Sequence, residues 1–287
     1  MIVVTGGSGK LGRFVVEELA AHGFDVVNLD AVPPPPGAPG RFVRTDVTDF
    51  GQVIAAFAGI DERTRDVAGV VHLAAIPAPG RAPNQVIFGV NTISTYNVFE
   101  AARQLRIRNL VWASSETVFG VPFTEGAVPS QVPLDESVTA PHSSYALSKT
   151  LGETMAGHYC AWDPALKIVS LRFSNVLAGA DYDRIPADGD PASRRFNCWA
   201  YIDARDGALA TRLALEAQLV GHHVFGIANA DSVMATDNDA LVDRFFPGTP
   251  RHGSYGPTDS LISIEAARRV LGFEPRHSWR TPPGSKA

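Results

Sequence analysis

Two residues at helical spacing carry the chemistry this chain could do. Tyr145 and Lys149 lie four positions apart in the stretch SSYALSK, Ser143 to Lys149. On a helix that spacing puts both side chains on one face, one turn apart. An ammonium beside a phenol stabilises the phenolate, so the tyrosine pKa is expected to fall from about 10 toward working pH. A general base is most effective there. Ser115 follows the apolar part of VWASSETVFG, Val111 to Gly120, where its hydroxyl could share a substrate oxygen with Tyr145. The trio could take a proton from a sugar-like alcohol while a cofactor takes the hydride. The same spacing also arises by chance on a solvated helix face, so the elements around it decide the reading.

Those elements alternate strand and helix. Ile2 to Thr5 reads as a buried parallel strand. It runs into Gly6, Gly7, Ser8, Gly9, Lys10, Leu11 and Gly12, and then into a helix over Phe14 to Gly23. Gly6 would allow a tight turn, Gly9 a close approach of pyrophosphate to backbone, and Gly12 close helix packing. The helix N-terminus would face the phosphates, and Lys10 and Arg13 add positive charge there. A second strand, Asp25 to Leu29, ends at Asp30. A carboxylate at that offset accepts from a ribose 2′-OH and repels a 2′-phosphate, favouring NAD over NADP; its rival role is a plain strand-end turn. Pro33 to Gly40 is a stiff, proline-rich surface loop.

A third strand (Arg41 to Arg44) follows, then a helix over Asp49 to Phe57. Asp46 and Val47 between them could close over an adenine edge, or Asp46 could be a turn residue. Val67 to Leu73 is a fourth strand, after which the small Ala74 and Ala75 permit close approach of a ligand. His72 fits a packed strand position better than a catalyst. Asn84 to Leu105 has helical periodicity and contains Asn91, which could equally be an ordinary polar helix position. Asn109 to Ala113 is the fifth strand. The pattern is α/β, a Rossmann-type doubly wound parallel sheet, and such sheets bind ligands at the carboxyl ends of their strands. Gly6, Asp30, Ala74 and Ser115 all fall at such ends.

Composition narrows the function classes. The chain has 287 residues, 45% hydrophobic and 19% charged, with net charge −5, the profile of a soluble globular protein. It has no basic stripe with interleaved aromatics, which argues against a nucleic-acid partner. Two cysteines, Cys160 and Cys198, make neither a disulfide framework nor a metal site, which fits a reducing cytoplasm. The opening apolar run is too short for a signal peptide. No run approaches the ~20 apolar residues of a membrane span.

With the glycine triplet, HLAA, SSETVFG and YALSK in view, the chain resembles the extended short-chain dehydrogenase/reductases, and within them the NAD-dependent epimerase/dehydratase group. The likeness implies a catalytic trio of Ser115, Tyr145 and Lys149, with Tyr145 the base and Lys149 also holding the nicotinamide ribose. It implies an NAD site lined by Gly6, Gly9, Lys10, Leu11, Asp30, Asp46, Val47, Leu73, Ala74, Ala75, Asn91 and Phe173. It also implies a homodimer built from the helices around 92–105 and 145–160. Three departures matter. The Asp-Glu pair of the 4,6-dehydratases is replaced by Glu116 and Thr117, which disfavours dehydration. The Val-Tyr-Gly of the family is Val118-Phe119-Gly120. Trp199, in WAYIDARD, stands where nucleotide-sugar epimerases often keep a diphosphate-binding arginine.

In the second half, Lys167 to Phe173 is a sixth strand, followed by Asn175, a substrate contact in the family or else a turn residue. Ala178 to Arg195 reads as a polar loop carrying Arg184, Arg194 and Arg195, a candidate substrate cover whose arginines could also be a solvated face. A helix over Asp203 to Gln218, a strand over Val224 to Ala228, and helices over Asp237 to Phe246 and Ser263 to Leu271 follow. Arg251-His252-Gly253 resembles a substrate segment of the family, and residues from Thr281 read as a frayed tail. The expected division gives 1–173 and 199–228 to an NAD-binding domain, and 174–198 and 229–287 to a small substrate-binding domain. The substrate set is Ser115, Glu116, Asn175, Arg194, Trp199 and Arg251, with Trp199 either a wall for a sugar ring or core.

The reading is therefore an NAD-dependent oxidoreductase acting on a secondary alcohol of a sugar or sugar acid. A nucleotide-sugar 4-epimerase is the alternative, and a non-catalytic NAD(P)-sensing protein a remote one. Trp199 and the short second half favour a small, non-nucleotide sugar.

Overall fold

A computed structural model describes residues 1–59, 66–185 and 189–281. Three strands and two helices open the chain: β1 (Ile2–Thr5), α1 (Lys10–Ala21), β2 (Val26–Asp30), β3 (Arg41–Arg44) and α2 (Phe50–Ala58). Then come β4 (Gly69–His72), α3 (Asn84–Gln104), β5 (Asn109–Ser115), α4 (Ser144–Trp162) and β6 (Lys167–Phe173). The C-terminal part adds β7 (Val176–Leu177), β8 (Ile202–Asp203), α5 (Ala204–Glu216), β9 (Gly221–Ile227), α6 (Asn238–Phe245) and α7 (Glu265–Leu271).

Seven strands form one parallel sheet in the order β3-β2-β1-β4-β5-β6-β9. The order reverses direction beside β1, which pairs β2 on one side and β4 on the other. That switch point is where an open parallel sheet leaves a crevice at its carboxyl edge. Alternation along β1 sends Ile2 and Val4 into one core layer and Val3 into the other. The first layer lies under α1 and α5, which pack together. The second lies under α2, α3 and α4.

The sequence-based elements largely hold, with shifted ends. α1 begins at Lys10, four residues before its apolar face, because the glycine turn feeds directly into the helix. The segment expected as an irregular loop from Ala178 to Arg195 contains two 3-10 turns, Gly179–Arg184 and Pro191–Asn197. Asp190, whose side chain caps the second turn, and Pro191 at its start explain it. The two-residue pair β7–β8 is too short to show a period. The side chain of Arg184 and the tail beyond residue 281 lie outside the described residues.

One packing contact fixes the catalytic helix to the sheet. Gly152 on α4 sits on the indole of Trp112 in β5, and a Cβ there would fall 2.3 Å from the ring. The indole cannot swing aside easily: its Nε1 donates to Ser170 Oγ at 2.6 Å, and Phe99 meets it edge-on at 5.9 Å. Gly152→Ala should therefore cost about 1–3 kcal/mol, as overpacked cores do, seen as a lower urea midpoint in chemical unfolding. An unchanged midpoint would mean that α4 can lift from the sheet freely.

Candidate active site

The crevice at the switch point is a cavity of about 1050 Å³. One half is built on the β1–α1 turn. Gly6 has φ +73°, and a Cβ on it would lie 2.6 Å from the Ala74 backbone nitrogen. A Cβ on Gly12 would lie 2.0 Å from the Gly6 carbonyl oxygen. Only glycine permits both approaches, and together they hold the N-terminus of α1 over the crevice. Asp30 at the end of β2 accepts from the Ser8 N–H at 3.0 Å and the Val32 N–H at 3.1 Å. Each of its oxygens keeps a lone pair for a further donor.

Gly6, Gly9, Lys10, Leu11, Asp30, Asp46, Val47, Leu73, Ala74, Ala75 and Phe173 all line this cavity. Lys10 is also drawn to Asp181 at 2.7 Å, and the Arg13 guanidinium rests over the Phe14 ring. Asn91 departs from expectation. It is buried off the cavity wall, where its amide clamps Ile76, accepting from the N–H at 2.8 Å and donating to the carbonyl at 3.1 Å. It shapes the loop after β4 rather than the wall. His72 is a packed strand residue, held between Thr5 and Thr95, with burial and the nearby Lys149 driving its pKa down to about 3.

The other half holds the candidate chemistry. Ser115 ends β5 and caps the 3-10 turn Glu116–Phe119, accepting from the Thr117 N–H at 3.2 Å. Ser143 caps α4 by accepting from the Ala146 N–H, and the first two turns of α4 then deliver Tyr145 and Lys149 to the same cavity as Ser115. The Ser115 hydroxyl favours the Tyr145 phenolate, against the effect of burial. Lys149 Nζ lies 5.7 Å from the Tyr145 ring centroid and donates to the Ala113 carbonyl at 2.6 Å.

The electrostatics differ from the simple expectation of a lowered phenol. Burial raises Tyr145 to about 12 and lowers Lys149 to about 8. Desolvation disfavours both charged forms, and it outweighs the help that an ammonium gives a phenolate when that ammonium is spent on a carbonyl. Further positive charge in the cavity would lower the tyrosine pKa again by favouring the phenolate.

Glu116 lines the same half and is buried. It accepts from Ser174 Oγ at 2.6 Å and from Asn197 Nδ2 at 3.3 and 3.4 Å. Burial lifts its pKa to about 7 against those hydrogen bonds. Asn175 lines the cavity beside it. Three other expected substrate residues do not. Trp199 is completely buried, its Nε1 donating to the Pro191 carbonyl and its ring packed against Phe245 and Phe246. A positive φ of 56° at this residue turns the indole into the core. Arg194 is turned to the Ala200 carbonyl. Arg251 is exposed and paired with Asp239 and Asp243.

Sequence reasoning missed three supports: Ser174 and Asn197 behind Glu116, and the Glu153–Arg172 ion pair behind Lys149. Ser174 directly follows β6, so the strand-end rule could have flagged it. Asn197 carries no local signal.

A model described as the NAD dependent epimerase/dehydratase family matches residues 2–192. The chain belongs to this family. Among similar proteins is an L-arabinose 1-dehydrogenase (NAD(P)(+)) from Haloferax volcanii, 29% identical over 98% of this chain and 98% of the relative. A UDP-glucose 4-epimerase from Lacticaseibacillus casei is 28% identical over 96% of this chain and 92% of the relative. The fold is shared with a short-chain dehydrogenase/reductase superfamily protein from Agrobacterium tumefaciens with bound NAD, at TM-score 0.71 and 24% identity, covering 98% of this chain and 94% of that one. NAD is thus the cofactor of the family, and the glycine cradle with Asp30 fits it. Bound in this cavity, it would supply a hydride acceptor and, in its oxidised form, positive charge.

Two outcomes follow. Tyr145→Phe keeps the ring and its packing but removes the transferable proton. Turnover should fall by at least the ~10²–10⁴-fold typical of a general acid/base, with NAD affinity little changed by calorimetry. Retained turnover would remove Tyr145 from the chemistry. Calorimetric titration should also show NAD binding more tightly than NADP, because Asp30 repels a 2′-phosphate. Equal or tighter NADP binding would mean that Lys10 and Arg13 prevail despite their contacts with Asp181 and Phe14.

Proposed function

We propose that this chain is an NAD-dependent oxidoreductase that oxidises a secondary alcohol of a small, non-nucleotide sugar or sugar acid. In this reading Tyr145 takes the hydroxyl proton, Ser115 orients the same oxygen, and Lys149 supports the tyrosine's anion. The observation that carries the substrate size is the fate of the arginines. A diphosphate wants a bidentate cation, which arginine supplies best. Arg194 is held by the Ala200 carbonyl, Arg195 by the Thr124 and Ala127 carbonyls, and Arg251 by two aspartates. Arg81, exposed on the loop after β4, is the arginine among the cavity-lining residues. Similarity to the L-arabinose 1-dehydrogenase over nearly the whole length of both chains supports the same reading.

The UDP-sugar 4-epimerase reading is favoured by the several relatives that carry that name. It would require Arg81 or a rearranged Arg194 to meet the diphosphate.

The reading keeps the two-part organisation, with 1–173 and 199–228 serving the cofactor and 174–198 and 229–287 the substrate. It takes the working protein to be a homodimer paired through α3 and α4. Exposed Val86, Ile93 and Tyr96 on α3 and Leu147 on α4 support that surface. It also takes the working compartment to be the cytoplasm. Two free, buried cysteines are consistent with that, and no helix among the described residues is long and apolar enough to cross a membrane.

Titration of the NAD-bound protein with UDP tests the substrate size. No heat and no change in tryptophan fluorescence is expected at millimolar UDP, together with NADH formation from a free sugar or sugar acid. Micromolar UDP binding would overturn the small-sugar reading and favour the epimerase.

A further inference from the structure

The half of the cavity that holds Ser115 and Tyr145 carries a carboxyl group with no ion pair among the described residues. Glu116 is the first residue of the 3-10 turn that follows Ser115, so its position is fixed by the same turn that presents the candidate catalytic hydroxyl. Its side chain is buried and anchored. Ser174 Oγ and Asn197 Nδ2 donate to it, and Asn197 is itself held by the Ala200 carbonyl at 2.8 Å. Two neutral donors fix the carboxyl without cancelling its charge. No cation lies within ion-pair distance of it among the described residues; Arg194, on the 3-10 turn behind it, acts on it only at longer range.

Besides Tyr145 and the cationic Lys149, whose ammonium is held by the Ala113 carbonyl, the walls of this half are neutral or apolar, among them Thr117, Val121, Asn175 and Phe196. A carboxylate with spare lone pairs is a strong acceptor for sugar hydroxyls. It also disfavours a second carboxylate brought against it.

We propose that Glu116 is the specificity-determining residue of this site, accepting hydrogen bonds from the hydroxyls of an uncharged polyhydroxyl substrate, an aldose, and rejecting the corresponding uronic acid. The proposal rests on the small-sugar reading above and narrows it from sugar or sugar acid to neutral sugar. A like charge within about 5 Å in a protein environment is disfavoured by roughly 10- to 100-fold, which sets the scale of the discrimination.

The carboxyl's own titration provides an internal control. Burial places Glu116 near 7, so it is largely neutral at pH 5.5 and charged at pH 8.5, whereas a uronic acid is ionised at both. The groups that face it are Tyr145 from α4, Arg194 from the 3-10 turn Pro191–Asn197, and Cys198 just after that turn. Lys149 of α4 lines the same half, and burial places it near 8, so its loss of charge toward pH 8.5 also disfavours a uronate, and only the part of the pH dependence that substitution of Glu116 removes belongs to Glu116. Burial pushes the Cys198 thiol up, so it stays neutral over this range. Arg194 stays charged throughout. Tyr145 serves both substrates alike, so its ionisation cancels in a ratio between them.

The experiment compares aldoses with their matching uronic acids, by kcat/KM for NADH formation and by calorimetric titration of the NADH-bound protein. The wild type at pH 8.5 should favour the aldose by at least about tenfold, and the preference should shrink toward pH 5.5. Glu116→Gln keeps the volume and an acceptor for Ser174 and Asn197. It should shift the aldose-to-uronate ratio toward the uronate by about tenfold or more and reduce its pH dependence to the part that Lys149 contributes, with NAD affinity unchanged. If that variant does not fold, the wild-type ratio at pH 8.5 decides alone. Equal use of both substrates at pH 8.5, or a wild-type ratio unchanged between the two pH values, overturns the proposal and leaves the small-sugar reading standing. Turnover of UDP-sugars alone overturns that reading, and the proposal with it.

Discussion

The absence of side chains at two glycines is the constraint on which the cofactor half of the molecule depends. Gly6 lies against the Ala74 backbone and Gly12 against the Gly6 carbonyl, so β1, α1 and the end of β4 meet with no room for a methyl group. That contact places a helix N-terminus, with its unpaired N–H groups, over the crevice. It also fixes the distance from the turn to Asp30, because the Ser8 N–H reaches the carboxylate directly. The catalytic half depends on a matching contact, Gly152 against Trp112, which seats α4 on β5. Both halves of the site are therefore located by backbone lying on its neighbour, the least adjustable kind of packing.

The parallel sheet was legible because each strand carries a short apolar run and ends in small or polar residues. The wall of the cofactor half was legible for the same reason: Gly6, Asp30, Ala74 and Phe173 sit at or just beyond strand ends. What depends on long-range side-chain geometry was not legible. Asn91 belonged to the cofactor wall only by the family likeness, and its amide is consumed by Ile76. Trp199 follows a turn with two successive positive φ angles, at Cys198 and Trp199, which reverses the direction its side chain would otherwise take. Arg194 of the same segment is absorbed by the nearby Ala200 carbonyl and Arg195 by the carbonyls of Thr124 and Ala127, far away in sequence, and nothing in local sequence announces the distant partners. The sequence also left the balance of pKa effects open, because burial can be judged only when the walls are known.

Burial sets the character of the reacting centre. Lys149, Tyr145 and Glu116 all move toward their neutral forms. Behind Lys149, Glu153 accepts from Ser114 Oγ and forms a two-pronged pair with Arg172. That carboxylate opposes the desolvation of Lys149, so the ammonium is supported from behind by a charge that is itself matched. Removing one member of such a buried pair leaves the other uncompensated, which is far more costly than never having had the pair.

The chain between residues 129 and 138 is stitched to distant segments. Val132 bridges to Arg251 and Leu134 to Ile262, Thr249 donates to the Pro129 carbonyl across 120 residues, and Arg172 holds the Val138 carbonyl. Contacts of such large sequence separation carry a high loop-closure cost and form late. During synthesis the dinucleotide cradle has every residue it needs long before the segment around residue 260 leaves the ribosome. A chain paused or truncated there would hold the cofactor cradle without the packing of its C-terminal segment, a state in which NAD would already bias the equilibrium toward the folded sheet.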